Sequence, residues 1–344
     1  MYTIYDYLKY YKDYSLEDLK WNQIDNLFLA CLVYMPLKSF KNQSYSVIVK
    51  KILNCDISDV KDTMVPKVLE LLNIAKDSKR YENMKLLDFT SILDNNTQFG
   101  ALTIKIGNIK VISFRGSDRS VIGWLENFRV AYSYPTYTQT LGINYLNNNL
   151  SLFDKNVYVV GHSKGGNLAM VSSMELNNLK FNKIKGIYNF DGPGLKLKEF
   201  NSLKYQKIKN KLFNIVPTSS YIGTLLYNEN YQAVTTNAHA INIHYPTSWN
   251  IFGTQFVKGE LQKRSLNLNK RTTINLEKID EEKMQKIFEE SFKIFKARET
   301  KNIKISLNDI RKIIKNISKM DPELSKYTSV ILTSIIELKE KKHK

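Results

Sequence analysis

The stretch Val157-Tyr158-Val159-Val160-Gly161-His162-Ser163-Lys164-Gly165-Gly166-Asn167 constrains this chain more than any other. The apolar run Val157 to Val160, bounded by polar residues, reads as a strand buried on both faces, because such a strand loses its apolar-polar alternation. A helical pattern follows at Leu168, Met170, Val171 and Met174. The two are joined by a Gly-x-Ser-x-Gly turn. Small residues around the serine let strand and helix close on it and present its hydroxyl at the edge of a sheet. A glycine-rich strand-to-helix turn also suits a phosphate cradle, so the turn by itself leaves both readings open.

A serine hydroxyl is a poor nucleophile at neutral pH unless a base takes its proton. The chain has four histidines. His162 lies inside the turn and His343 in a charged tail, which leaves His239 and His244, both downstream of Ser163 as the order serine, acid, histidine requires. His244 ends the alternating run Ala240 to Tyr245, just before Pro246, and is expected at a strand end where a base belongs. An acid must then orient the imidazole. Asp191 closes the apolar run Ile187 to Phe190 and precedes a Gly192-Pro193-Gly194 turn, which puts it at the same sheet edge as Ser163. Asp before Gly and Pro also caps its own turn, and Asp154 and Asp118 are further candidates. The oxyanion donors are expected at the Lys164 N–H, on the positive end of the following helix, and at Ser117, through its N–H or its hydroxyl, in Phe114-Arg115-Gly116-Ser117-Asp118. Arg115 is expected to pair with a carboxylate in the core, Glu126 being one choice.

Strand, helix and strand recur around this centre. Leu102, Ile104 and Ile106 alternate, Gly107-Asn108 makes a turn, and Ile109, Val111 and Ser113 alternate again, which reads as a hairpin. A helix is expected from Tyr137 to Leu150 and a further strand from Leu212 to Val216. The sum is an α/β protein with a mostly parallel sheet flanked by helices. Near the N-terminus Ile24, Leu27, Phe28, Cys31 and Met35 form one apolar helical stripe, while residues 43 to 95 mix short helical patterns with charged turns. After a basic connector from Lys258 to Thr273, helices are expected from Asp280, Ser306 and Asp321, each with one apolar stripe. The division is a main domain over 1–257, its N-terminal part, 1–95, helical, and a basic connector with a helical appendage over 258–344.

With 43% apolar and 24% charged residues the chain can build a core. No apolar run is long enough for a membrane span, and the start lacks the pattern of a secretory signal, so a cytoplasmic setting is expected. Two cysteines, Cys31 and Cys55, give neither a disulfide framework nor a cysteine zinc site, and Cys31 is expected to be a buried, inert thiol. The net charge of +18 invites a nucleic-acid reading. Against it, lysine outnumbers arginine roughly five to one, half the excess lies beyond residue 257, and no groove-reading or aromatic-basic motif accompanies it. Weak attraction to an anionic membrane surface is the expectation instead.

Phe114-Arg115-Gly116-Ser117-Asp118, Gly123-Trp124-x-Glu126, His162-Ser163-Lys164-Gly165-Gly166-Asn167-Leu168-Ala169, Asn189-Phe190-Asp191-Gly192-Pro193-Gly194 and His244-x-Pro246-x-x-Trp249 together resemble a bacterial family of unknown function whose members look like class 3 lipases of the α/β-hydrolase fold. The resemblance runs from Asp6-Tyr7-Leu8 through most of the chain and is loosest in the C-terminal helices. It implies a hydrolase of acyl or lipid esters, with Ser163 as nucleophile, His244 as base, an oxyanion hole near Ser117 and Lys164, and neither metal nor organic cofactor. The chain departs from that pattern twice. Class 3 lipases usually carry their acid after the next strand, where Val216-Pro217-Thr218-Ser219-Ser220 holds no carboxylate, so either Asp191 substitutes or the triad is incomplete. Lys164 stands where lipases have an apolar residue, and is expected to favour an anionic ester or to reach solvent. The rival expectation is a hydrolase scaffold with little or no turnover that binds a protein, an acyl chain or an anionic surface.

Overall fold

The two alternating segments pair antiparallel across Gly107-Asn108, with Ile106 opposite Ile109 and Ala101 opposite Phe114. The computed structural model describes residues 2–37, 40–54, 62–94, 96–118, 121–296, 307–322 and 325. Within them the hairpin belongs to a seven-stranded sheet: β1 (Lys85–Leu93), β2 (Gln98–Ile106), β3 (Ile109–Phe114), β4 (Asn156–His162), β5 (Ile184–Phe190), β6 (Leu212–Pro217) and β7 (Tyr231–Val234). The strands lie in chain order. β1, β2 and β3 are antiparallel, and β3 to β7 are parallel. β1 falls where the sequence suggests short helical patterns. Its apolar residues are irregularly spaced and its outer half is exposed, so no clean period of two marks it.

Parallel neighbours taken in chain order, with crossovers of one hand, put every connecting helix on the same face. That face, presenting Ala101, Ile112, Val159 and Ile187, is packed by α6 (Tyr137–Asn149), α7 (Lys164–Met174) and α10 (Leu203–Ile208). The opposite face, presenting Leu102, Ile104, Val111, Val160 and Phe190, has no crossover to cover it. The N-terminal helices do so: α1 (Ile4–Tyr11), α2 (Gln23–Leu32), α3 (Tyr45–Leu53) and α4 (Val65–Ala75). α2 starts in a capping box, Asn22 accepting from the Ile24 N–H and Asp25 from the Asn22 N–H, and every residue from Ile24 to Leu32 is buried. With helices on both faces this is an α/β-hydrolase-like fold. Cys31 is buried as expected, and burial pushes its thiol up to about 12; Cys55 and His343 lie outside the described residues.

A third apolar cluster joins α5 (Val121–Tyr132) to the C-terminal helices α11 (Lys263–Glu277), α12 (Glu281–Lys296) and α13 (Leu307–Met320). Phe288 of α12 stacks on Phe128 of α5 with ring centroids 4.7 Å apart. α12 is capped by Asp280, whose carboxylate accepts the Lys283 N–H. α11 occupies most of the stretch read as a connector: its polarity reflects a half-exposed surface, with Ser265, Thr273 and Leu276 turned inward. Ser306 and most of the segment after Asp321 lie outside the described residues. Among the described residues no helix is long and apolar enough to cross a membrane.

Candidate active site

Because β3 to β7 are parallel and in register, their C-terminal ends meet at one edge of the sheet. His162 pairs with Phe190, and Phe190 with Ile215. The ladder then runs one rung further: Ser163 N–H donates to the Phe190 carbonyl at 2.9 Å and Asp191 N–H to the Ile215 carbonyl at 2.8 Å. Ser163 and Asp191 therefore stand side by side on adjacent strands.

Ser163 has φ 58° and ψ −131°, a strained backbone for a side chain with a Cβ. The glycines around it make the turn possible. A Cβ on Gly161 would fall 2.1 Å from the Gly165 carbonyl oxygen, and one on Gly165 would fall 2.1 Å from the Phe114 carbonyl oxygen. α7 starts at Lys164 directly after the serine, so the positive end of its dipole lies at the hydroxyl.

His244 Nδ1 lies 2.7 Å from Asp191 Oδ2. A carboxylate opposite Nδ1 fixes the proton there and leaves Nε2 as the acceptor. His244 does not end a strand as the alternation suggests; it closes a 3-10 turn, Ala240–His244, after β7. Asp191, itself at φ 51° and buried, is the carboxylate that the turn after β5 brings to His244. Its other oxygen accepts the Ser220 hydroxyl and, at 3.1 Å, the Gly223 N–H. The segment Thr218 to Gly223 after β6, which holds no carboxylate, thus supplies the donors that hold the carboxylate of Asp191. His239 is exposed, and Asp154 pairs with Lys110 at 2.7 Å ahead of β4, at the opposite end of that strand from Ser163. Asp118 follows Ser117, and its charge acts on Arg115 and Lys164. Among the described residues Ser163 Oγ makes no hydrogen bond within 3.5 Å, to the His244 ring or elsewhere; in unliganded sites this link commonly tightens only with substrate bound.

On the other side of Ser163 runs the loop after β3. A Cβ on Gly116 would stand 3.1 Å from Ser163 Cβ, so this backbone approaches Ser163 directly. The Ser117 hydroxyl donates to Asn127 Oδ1 at 2.8 Å, which turns it toward α5 and leaves the N–H as the candidate oxyanion donor. The Lys164 side chain neither reaches solvent nor faces a substrate. It is buried, and its ammonium donates to the carbonyl of Gln98 and, at 2.9 Å, to Gln98 Oε1. Gln98 Nε2 donates in turn to the Gly116 carbonyl at 3.2 Å. Burial pushes the Lys164 ammonium down to about 8, against the opposing pull of Glu126 and Asp118. Arg115 bonds the Ser91 hydroxyl and the Phe99 carbonyl, while Glu126 is held by Arg129 and Thr138.

His162 is not idle inside the elbow. Its Nε2 lies 2.8 Å from the His244 carbonyl oxygen, its Nδ1 lies 3.0 Å from the Tyr34 hydroxyl, and the Gly116 N–H donates to that hydroxyl at 3.2 Å. Burial, with the His244 ring next to it, holds His162 well below the usual histidine range.

A family model described as Mbeg1-like matches residues 75–293, which takes in the sheet, the elbow at Ser163, Asp191 and His244. The chain belongs to the Mbeg1-like family. The Mbeg1-like match begins in α4, ahead of β1, and ends in α12, so the first three helices lie outside it. A search of curated proteins gives no match. Among solved structures, the crystal structure of M37 lipase is similar at 14% identity, over 90% of this chain and 95% of that one, with a TM-score of 0.37.

Tyr34, Gln98 and Ser220 carry no signal of their own in the sequence. Tyr34 lies beside the end of an apolar helical stripe and resembles core; Gln98 begins a strand; Ser220 lies in a segment, Val216 to Ser220, without a carboxylate. Only the hydrogen bonds that the fold assembles mark them. Among the described residues no group of His, Cys, Asp and Glu could hold a metal ion.

Proposed function

We propose that this Mbeg1-like chain is a serine hydrolase that cleaves carboxylic esters, acyl and lipid esters among them, through an acyl-enzyme at Ser163. The observation that carries it is the His244–Asp191 pair at 2.7 Å, set at the sheet edge where a strained elbow presents Ser163. His244 Nε2 takes the Ser163 proton as Oγ attacks the ester carbonyl. The oxyanion that forms is met by the N–H groups of Lys164 and Ser117. Asp191 holds the Nδ1 proton and stabilises the imidazolium. His244 returns its proton to the leaving alcohol as the carbon–oxygen bond breaks, and water repeats the sequence on the acyl-enzyme. A net charge of +18 adds weak attraction to anionic lipid surfaces, and a cytoplasmic setting belongs to the same proposal.

The test is labelling of the purified protein with a fluorophosphonate and mapping of the modified residue by mass spectrometry. Stoichiometric labelling at Ser163 that is lost in Ser163→Ala and falls steeply in His244→Ala is the expected result. A folded protein that takes up no label would overturn the proposal and favour a binding scaffold.

A further inference from the structure

We infer that Tyr34 and His162 are positioning residues, a buried strut that runs from the Gly116 amide through the Tyr34 hydroxyl and the His162 ring to the His244 carbonyl. It fixes the backbone of the base and the oxyanion-side loop relative to Ser163. Its catalytic consequence rests on the hydrolase proposal above.

The protons along this path have only one consistent arrangement. The His244 carbonyl can only accept, so His162 Nε2 carries a proton and donates to it at 2.8 Å. A neutral ring then offers Nδ1 as an acceptor, and the group facing it at 3.0 Å is the Tyr34 hydroxyl, which must donate. The Tyr34 oxygen is left to accept, and the Gly116 N–H supplies the donor at 3.2 Å. Each polar group is paired once and in one direction. Tyr34 is 3% exposed and His162 2%, so water does not offer these groups an alternative partner.

The path joins distant segments: the turn after α2, the loop after β3, the end of β4 and the turn after β7. The residues it ties down flank Ser163 on both sides. His162 precedes the nucleophile in sequence, its ring lies 4.5 Å from that of His244, and its own carbonyl oxygen would stand 2.6 Å from a Cβ on Gly116. Asp191 orients the His244 ring, but a ring is placed only as well as its backbone, and His244 lies in a short 3-10 turn rather than in the sheet. Trp249 Nε1 and the Ser248 hydroxyl hold the Ile243 and Asn242 carbonyls of that turn, each at 2.8 Å, and the strut adds the tie from His244 itself to the elbow. It also gives the N-terminal layer a part in the site, since Tyr34 comes from the segment that covers the far face of the sheet.

Tyr34→Phe removes one oxygen and keeps the ring. In the full-length protein we expect the labelling rate of Ser163 by a fluorophosphonate, and kcat for 4-nitrophenyl butyrate, to fall roughly tenfold to a hundredfold. KM should stay within about threefold, because the interaction lost is one that positions reacting groups. His162→Gln, which keeps one donor and one acceptor, should retain more of the rate than His162→Leu. A folded Tyr34→Phe protein that labels at the unaltered rate would overturn the positioning role.

Histidine-selective 15N NMR on the same protein reads the strut without any turnover. The expected signature is a His162 ring protonated on Nε2 alone from about pH 5.5 to 8.5, whose Nδ1 resonance moves in Tyr34→Phe together with those of His244. A His162 that titrates in that window, or that carries its proton on Nδ1, would overturn the strut. If the signature is present and the unaltered protein neither labels nor hydrolyses the ester, the hydrolase proposal falls and the strut stands.

Discussion

The Ser220 hydroxyl donates to the same Asp191 oxygen that accepts the Gly223 N–H at 3.1 Å, while the other oxygen faces His244. The carboxylate that faces His244 is therefore delivered by the turn after β5 and held by the loop after β6. The loop after β6 thus fixes one oxygen of Asp191 and leaves the other to His244. Asp191→Asn keeps the shape but permits the wrong tautomer at His244, and hydrolysis of a 4-nitrophenyl ester should fall roughly 10³- to 10⁴-fold. Ser220→Ala leaves the carboxylate in place with one donor fewer, and a loss of about tenfold is expected. An Asp191→Asn enzyme of unaltered rate would remove Asp191 from the triad.

The elbow has a steric requirement that stability can read. A Cβ on Gly165 would fall 2.1 Å from the backbone oxygen of Phe114, so α7 would have to move off β3. Gly165→Ala should lower the unfolding free energy in urea by roughly 3 kcal/mol or more, or prevent folding. Gly107 is the control: it sits at φ +55° with nothing within 4 Å of an added Cβ, so Gly107→Ala carries only the backbone strain of about 1 kcal/mol. Equal losses in the two variants would show that crowding at the elbow is not what sets its glycines.

The hairpin of β2 and β3, the strands β4, β5 and β6, and the elbow at Ser163 are legible in the sequence because each is a local pattern. Val157 to Val160 is apolar throughout since both faces are covered, and Asp191 follows its strand directly. β1 is not legible, as its half-exposed edge position erases the period of two. The burial of the Lys164 side chain is hidden for a different reason: a lysine at the start of a helix normally points to water, and only the approach of Gln98 from β2 covers this one. Tyr34 and His162 bond across 128 positions, a separation that no spacing rule spans.

The N-terminal layer contains a second long-range pair that the sequence hides. Arg80 and Asp25 are both fully buried; Arg80 Nε donates to Asp25 Oδ1 at 2.7 Å, and the Tyr7 and Tyr81 hydroxyls donate to the same oxygen. Removing the cation strands a buried carboxylate. Arg80→Met should therefore destabilise by about 3–5 kcal/mol, while Asp25→Leu combined with Arg80→Met should recover part of that loss. Urea unfolding of the single and double variants measures the coupling. Additive losses would mean that the pair contributes nothing beyond its separate contacts.

Lys164 gives the fold a dependence on alkaline pH whose sign is fixed. Burial pushes its ammonium down to about 8, so above that pH the native chain has released a proton that the unfolded chain keeps until its ordinary lysine range, near 10.4. Between those values the unfolded state binds more protons, and stability rises with pH. The effect is absent below about pH 7, where both states are charged and the cost of burying the charge is present in full. Relative to Lys164→Met, the unaltered protein should gain up to about 1 kcal/mol per pH unit between roughly pH 8 and 9.5. Comparing the two proteins cancels the buried tyrosines, whose pKa values are raised and whose contribution near pH 10 runs the other way. A stability difference that stays flat across this window would mean that Lys164 keeps an ordinary lysine pKa and that its ammonium is hydrated in solution.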